Sequence, residues 1–550
     1  MAKQMTSEPT SSMKTKYLWF AYILVALFSV LPYLNVLHGE FVVDDVVFYV
    51  DNPALTADPN IGRFFLSNVW DHATVQIKNS PLYRPLFLTV MWVSQKLFGG
   101  NVAAYHLFNI GLHLTAALLL LTLLRRLLPE SGLLPALAGA LIFAVHPIHV
   151  EAVAWIGAFG HSMATALLLG AMLGYLRYTE GRGSRYWFAL SLTLFALALF
   201  SMETATVFPL LITAYEYLRL RRVNFGRVLP FWLVLVLYFV VRKLVLGQLA
   251  PLNLDHALAW GTGLNFAIGY LEFLFVPWPQ FMYLELPVEG IATPTGGMLA
   301  LMLVAIAVVA VRLKTKEKTV LMFGLSWILL ALTPLVLSSL NPFPLFALRA
   351  LYLPSVGVSI LVAWAVAVSL QRQKTTVAVI AFLLIAAVPA TMRANRDWLV
   401  NSKVYEKVYS VTQSPGSAIA LADIYGKDGD VAAAERVLLQ AAKQVKDDPS
   451  RINIYERLGL LYGTRGVIAQ SEQYYRKVLE LAPKHSSAWV GLGNNAWARG
   501  DIKSALNFYL AAVEADPANH EASHNVALAY RQLGDLSRAA EYSERADRQQ

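Results

Sequence analysis

The chain has 550 residues, 57% hydrophobic and 15% charged, with a mean hydropathy of +0.50. That is more apolar sequence than one soluble core can hide, so lipid is the solvent for much of it. The formal net charge is +9, yet Lys and Arg gather at the ends of apolar segments, where they set membrane orientation, and nucleic acid is not an expected partner. The absence of Cys excludes disulfides, thiolate zinc sites and cysteine nucleophiles.

Apolar stretches predict about eleven spans, at 17–37, 103–124, 133–150, 161–178, 186–202, 204–220, 228–246, 297–313, 318–338, 349–370 and 375–392. The first follows Lys14 and Lys16 and lacks a small-residue cleavage site, so it reads as a retained helix. With the N-terminus in the cytoplasm, Arg125/Arg126, Arg177/Arg182/Arg185, Arg219/Arg221/Arg222/Arg227, Arg312/Lys314/Lys316/Lys318 and Arg372/Lys374 all fall on the cytoplasmic side. The opposite loops at 151–160, 248–295 and 339–348 hold no Lys or Arg. The charge rule therefore exports the first loop, 38–102, the turn from His146 to Glu151, the 248–295 loop and everything after 392 to one non-cytoplasmic face. The apolar stretches 263–283, broken by Pro277-Trp278-Pro279, and 86–98 are expected at the interface rather than across the bilayer.

Past residue 392 the sequence becomes soluble in character, and positions recur every 34 residues: Leu458, Leu492 and Val526; Gly459, Gly493 and Ala527; Gly466, Gly500 and Gly534. That is the tetratricopeptide period, two packed helices per unit with small residues where they approach. Four units are expected near 415–451, 452–485, 486–519 and 520–550, the first with about three extra residues in its second helix. The fold class is thus all-α, a polytopic membrane domain over 1–392, a linker at 393–414 and a repeat solenoid over 415–550. The concave surface of such a solenoid suits a protein or peptide partner, against the plainer reading of a stiffening element.

Residues able to carry chemistry collect on the exported face. Gly39-Glu40-Phe41-Val42-Val43-Asp44-Asp45 places adjacent carboxylates at the membrane surface, a pairing that suits general-base or metal work. His146 and His149 with Glu151 have metal-ligand residue types, but Pro147 breaks helical register and a hydrogen-bonded turn is the competing reading, preferred for His146. Arg242, Lys243 and Arg349 stand at outer span ends where the charge rule avoids them, and a guanidinium there can grip a phosphate. The plainer reading is a snorkelling side chain, most credible for Lys243.

These motifs, in this order, resemble the transmembrane and tetratricopeptide-repeat-containing O-mannosyltransferases of the GT-C class. The carriers are Phe41 to Asp45 with Asn52-Pro53, Tyr83-Arg84-Pro85-Leu86, His106-Leu107-Phe108-Asn109 with His113, His146-Pro147 through Ala154, Met202-Glu203, the Arg242 stretch, and Arg349 through Ser355. The resemblance implies a GT-C membrane domain that transfers a sugar, mannose, with inversion from a polyprenyl-phosphate donor to a Ser or Thr hydroxyl of a protein acceptor engaged by the repeats. It implies Asp44 as general base, Asp45 as its hydrogen-bonding or metal-facing neighbour, and Arg349, with Arg242 and Lys243, as ligands of the donor phosphate. Arg84, His149, Glu151, Glu203, Tyr352 and His146 would line the cavity. No cofactor is required by this scheme, and a divalent cation is an option at Asp45. Met202 departs from the family's pattern, which has Lys before the Glu. A bacterial inner membrane is the favoured location. The rival readings are an oligosaccharide ligase or polymerase, which needs a pyrophosphate donor, and a non-catalytic membrane scaffold or transporter whose repeats recruit a partner.

Overall fold

A computed structural model of the chain describes residues 11–50, 52, 60–73, 80–181, 184–248, 257–276, scattered positions from 302 to 312, 315–338, 346–369 and 373–549. No strand occurs among them. Two compact units, Met1–Val404 and Tyr405–Gln550, divide the chain.

In the first unit the helices run, in chain order, α1 (Ser11–Val30), α2 (Pro85–Phe98), α3 (Val102–Leu127), α4 (Leu133–Val145), α5 (Val150–Ala154), α6 (Phe159–Thr179), α7 (Arg185–Ser201), α8 (Phe208–Tyr215), α9 (Phe225–Leu246), α10 (Ala257–Phe275), α11 (Thr315–Ser338), α12 (Pro354–Val368) and α13 (Gln373–Asn395). Seven segments are long and apolar enough to cross a bilayer: Thr15–His38, Val102–Leu127, Ile156–Thr179, Phe225–Leu246, Lys318–Ser338, Leu348–Val368 and Lys374–Trp398. An eighth is the pair Leu133–Val145 and Pro147–Ala154, bent by 47°.

Two of the expected spans, 186–202 and 204–220, are not among these segments. The 186–202 segment is a single 17-residue helix, α7. The 204–220 segment is continuous helix from Glu203 to Leu220, passing from 3-10 through α to π, and carries a buried Glu216, whose carboxylate accepts from the Tyr175 hydroxyl at 2.6 Å and from the Asn224 amide. Most of 297–313 lies outside the described residues, as do Pro53, the Pro277-Trp278-Pro279 break, and most of the 248–295 and 339–348 loops. Helix α2, at 14 residues, reaches about 21 Å at 1.5 Å per residue, short of the bilayer core.

Helix packing in lipid depends on small residues at the crossings. A Cβ at Gly139 of α4 would stand 2.5 Å from the Ser359 carbonyl oxygen, and one at Gly357 of α12 would stand 2.6 Å from Ile328 Cγ1 and 2.8 Å from the Gly324 carbonyl oxygen of α11. These contacts bring α4, α11 and α12 together, and so place the turn after α4 beside the segment that opens α12.

The second unit continues from α14 (Asn401–Thr412), helical within the stretch read as a linker, into four helix pairs: α15 (Pro415–Lys427) and α16 (Val431–Gln444), α17 (Asp448–Thr464) and α18 (Ile468–Leu481), α19 (Ser486–Ala498) and α20 (Ile502–Ala515), α21 (His520–Gln532) and α22 (Leu536–Gln549). Helices α16 and α18 are both 14 residues long. The extra residues expected in the second helix of the first repeat instead lengthen the helix that follows: α17 has 17 residues against 13 in α19 and α21, and Asp447 caps its start, accepting from the Ser450 amide at 2.9 Å. The repeat glycines mark close approaches: a Cβ at Gly493 would stand 2.3 Å from Tyr509 Cε1. Ala's helix propensity gain, up to about 1 kcal/mol, is smaller than such a clash. Gly493→Ala is expected to destabilise the chain by about 1–3 kcal/mol, read as a lower midpoint in calorimetry, and an unchanged midpoint would contradict this packing.

Candidate active site

The first span ends in a 3-10 helix, Leu31–His38, and the chain then turns sharply. The Glu40 amide donates to the Leu399 carbonyl at 2.8 Å and the Asp45 amide to the Val42 carbonyl at 3.0 Å. The two adjacent carboxyls have different surroundings. Asp45 is buried, its Oδ1 accepting from the Gly157 amide at 2.7 Å and its Oδ2 from the Val42 amide at 3.2 Å. Burial pushes the Asp45 carboxyl well above the usual aspartate range, against the pull of those two amides. Asp44 is half-buried, and among the described residues no group hydrogen-bonds its carboxyl. Burial raises Asp44 too, while the Arg349 guanidinium draws it part of the way back.

This is a division of labour. Asp45 ties the first loop to the turn between α5 and α6, and both of its oxygens are committed to backbone donors. Of the two roles expected of Asp45, the hydrogen-bonding one is seen in these contacts, and no group of three His, Asp or Glu placed to hold a metal occurs among the described residues. Asp44 is left with a free carboxyl near a cation. A Cβ at Gly157 would stand 2.8 Å from Asp45 Oδ1. Gly157→Ala is expected to break that hydrogen bond and cost about 1–3 kcal/mol for the unsatisfied buried group, measurable as a lower midpoint of unfolding.

Arg349 opens the 3-10 turn Leu348–Tyr352 before α12. Its amide donates to Glu151 Oε2 at 3.0 Å, its guanidinium pairs with Glu151 Oε1, and its Cζ lies 4.9 Å above the Trp155 ring. Trp155 also stacks on Trp398, with ring centroids 5.6 Å apart. The structure thus brings Asp44, Asp45, Glu151 and Arg349 into one cluster, built from the first loop, the α4–α5 bend, α12 and the segment after α13. Beside it Arg84 grips Glu203 through Nε and Nη2, both at 2.8 Å. Buried His161 lies within electrostatic reach of both Arg84 and Arg349.

Other expected site residues are elsewhere. Arg242 is buried and donates from Nη2 to the Pro81 carbonyl at 2.7 Å, which ties it to the first loop, while its Nε has no partner among the described residues. Lys243, one residue and about 100° further round α9, is exposed. His149 and Tyr352 do not line an opening. Both are fully buried, with His149 Nε2 2.8 Å from Ser355 Oγ and Tyr352 Oη 2.7 Å from His113 Nδ1, a network that joins α3, the α4–α5 bend and α12. His146 Nδ1 accepts from the Ile148 amide at 3.3 Å and caps the bend. Sequence reasoning missed Trp155, Gly157, His161 and Trp398. The one sequence signal for the first three is the run from Glu151 to His161, which has no Lys or Arg and follows the histidine turn directly; Trp398 has none.

Fold and site together define a multi-pass helical membrane protein with an acid-and-arginine cluster, followed by a tetratricopeptide solenoid. A family model described as "Tetratricopeptide repeat" matches residues 456–520 and 490–550. Over 159 residues the chain is 31% identical to the protein O-mannosyl-transferase F38B6.6 of Caenorhabditis elegans, covering 29% of this chain and 23% of that one. It is 37% identical over 159 residues to human protein O-mannosyl-transferase TMTC1, covering 28% and 18%, and 34% identical over 200 residues to its mouse counterpart, covering 34% and 21%. These relatives bear out the resemblance read from the motifs, and the matches span between 18% and 23% of the relatives' length. Among solved structures, a MamA fragment from Desulfovibrio magneticus covers 27% of this chain and 82% of its own at 15% identity with a TM-score of 0.24, too slight a likeness to bear on the fold.

Proposed function

We propose that the chain transfers mannose, with inversion, from a polyprenyl-monophosphate donor to a Ser or Thr hydroxyl of a protein, on the non-cytoplasmic face of the membrane. The observation that carries the reading is a half-buried Asp44 carboxyl, without a hydrogen-bond partner among the described residues, within electrostatic reach of the Arg349 guanidinium that Glu151 holds. Asp44 takes the proton of the acceptor hydroxyl, whose oxygen bonds to the anomeric carbon as the bond from that carbon to the phosphate oxygen breaks. Both electrons of the broken bond leave with the polyprenyl phosphate, and Arg349 offsets its charge with the guanidinium donors not used by Glu151. Exclusion of water strengthens both electrostatic effects and limits hydrolysis of the donor. Arg84 and Glu203 form the neighbouring wall. The clustered Lys and Arg residues support a cytoplasmic N-terminus with this face outside; the membrane is a bacterial inner membrane, and the four repeats engage the acceptor.

The test is transfer of labelled mannose by the purified full chain from a synthetic polyprenyl-monophosphate mannose to a pool of Ser- and Thr-containing peptides. A peptide product with inverted anomeric configuration supports the proposal. No transfer from the monophosphate donor, with transfer from a pyrophosphate-linked oligosaccharide, replaces it with a ligase; no transfer from either leaves the scaffold reading.

A further inference from the structure

Val43, the residue before Asp44, has φ +55°, and it is β-branched. Left-handed backbone is rare for such a side chain, because Cβ crowds the carbonyl, and it persists where surrounding groups hold it. The other non-glycine residues with positive φ among those described are Arg221 and Gln413, neither of them β-branched. One hydrogen bond holds Val43 from outside its own turn: its amide donates to Asn401 Oδ1 at 2.9 Å. The turn is closed from within by the Val42 amide on Asp45 Oδ2. The stretch 398–401 meets both halves of the candidate site, since the Leu399 carbonyl accepts from the Glu40 amide and Trp398 stacks on the Trp155 ring that carries Arg349.

We infer that Asn401 is a positioning residue: its Oδ1 holds Val43 in the left-handed conformation that sends the Asp44 carboxyl toward Arg349 while the Asp45 carboxyl turns to Gly157. The inference rests on the reading of Asp44 as the base. Without that acceptor the Val43 amide loses its partner, the strained residue relaxes toward negative φ, and the direction of the next side chain changes with it.

The experiment compares full-length wild type, Asn401→Ala, Asn401→Asp and Asn401→Ala/Val43→Gly in the mannose-transfer assay, with hydrogen exchange of the 41–46 segment read in parallel. Asn401→Ala is expected to lower kcat about hundredfold, the scale of a misplaced reacting group, with KM for the donor unchanged and faster exchange at Val43. Adding Val43→Gly restores most of kcat although exchange stays fast, because Gly takes this φ without strain. Asn401→Asp keeps an acceptor oxygen and most of kcat, and its charge moves the acid limb of the pH profile upward. Full activity or unchanged exchange in Asn401→Ala, or no recovery on adding Val43→Gly, overturns the role of Asn401 alone. A wild type that transfers nothing overturns the functional reading and this inference with it.

Discussion

Asp44→Asn is expected to lower mannose transfer about a thousandfold, within the range that a positioned general base contributes, while the protein stays folded. The amide matches the carboxyl in shape, so donor and acceptor binding should change little and the loss should appear in kcat. Stability should not fall. A carboxyl whose pKa is raised in the fold has no effect on stability while both states are protonated, and it destabilises the fold as pH rises from its unfolded to its folded value. The neutral amide removes that penalty, so the unfolding midpoint at neutral pH should equal or exceed that of wild type. The same displacement sets the pH profile: the base works ionised, so activity should rise with pH along a limb lying above the usual aspartate range. Neutralising Arg349 should move that limb higher still, because the guanidinium is what draws the Asp44 carboxyl back. Turnover by Asp44→Asn equal to wild type would remove Asp44 from the chemistry.

Features with a local or periodic cause were legible in the sequence. The repeats show because a two-helix unit needs small residues at fixed spacing, and Gly493 against Tyr509 is that need in three dimensions. The Asp44-Asp45 pair was legible as a pair, but the division between them was not, because it depends on the Gly157 amide from a distant turn. Arg242 and Arg349 look alike in sequence, each a cation at the outer end of a span. One donates to the Pro81 carbonyl and the other is set among Glu151, Trp155 and Asp44, a difference made only by tertiary packing. His149 and Tyr352 were misplaced for a related reason. A polar residue in an apolar run signals function or a satisfied core network equally well, and here His113 and Ser355 supply the network. The 204–220 segment is continuous helix, yet Glu203, Glu216 and Arg219 make it less apolar than the spans around it.

The Glu151–Arg349 pair separates a structural from a chemical role for the guanidinium. Glu151 is 4% exposed, and Glu151→Leu leaves Arg349 without its principal counter-charge in a largely buried setting, at an expected cost of about 3–5 kcal/mol. Arg349→Met leaves a buried carboxylate in the converse position and should cost a similar amount. The double variant Glu151→Leu/Arg349→Met removes both charges and keeps side-chain volume, and buried pairs replaced in this way often lose little stability. Its unfolding midpoint is therefore expected to recover most of the single variants' loss, short of wild type by about 1–3 kcal/mol because the residue-349 amide has lost its Glu151 acceptor, a non-additivity read directly from the double-mutant cycle. Activity should not follow. If Arg349 meets the departing phosphate, the refolded double variant still lacks that charge and transfer stays low, with the loss falling on the chemical step and on the donor, not on the peptide. If Arg349 serves only to neutralise Glu151, transfer returns together with stability, and the donor-phosphate role passes to another cation at this face, with Arg84 the nearest candidate because it shares His161 with Arg349.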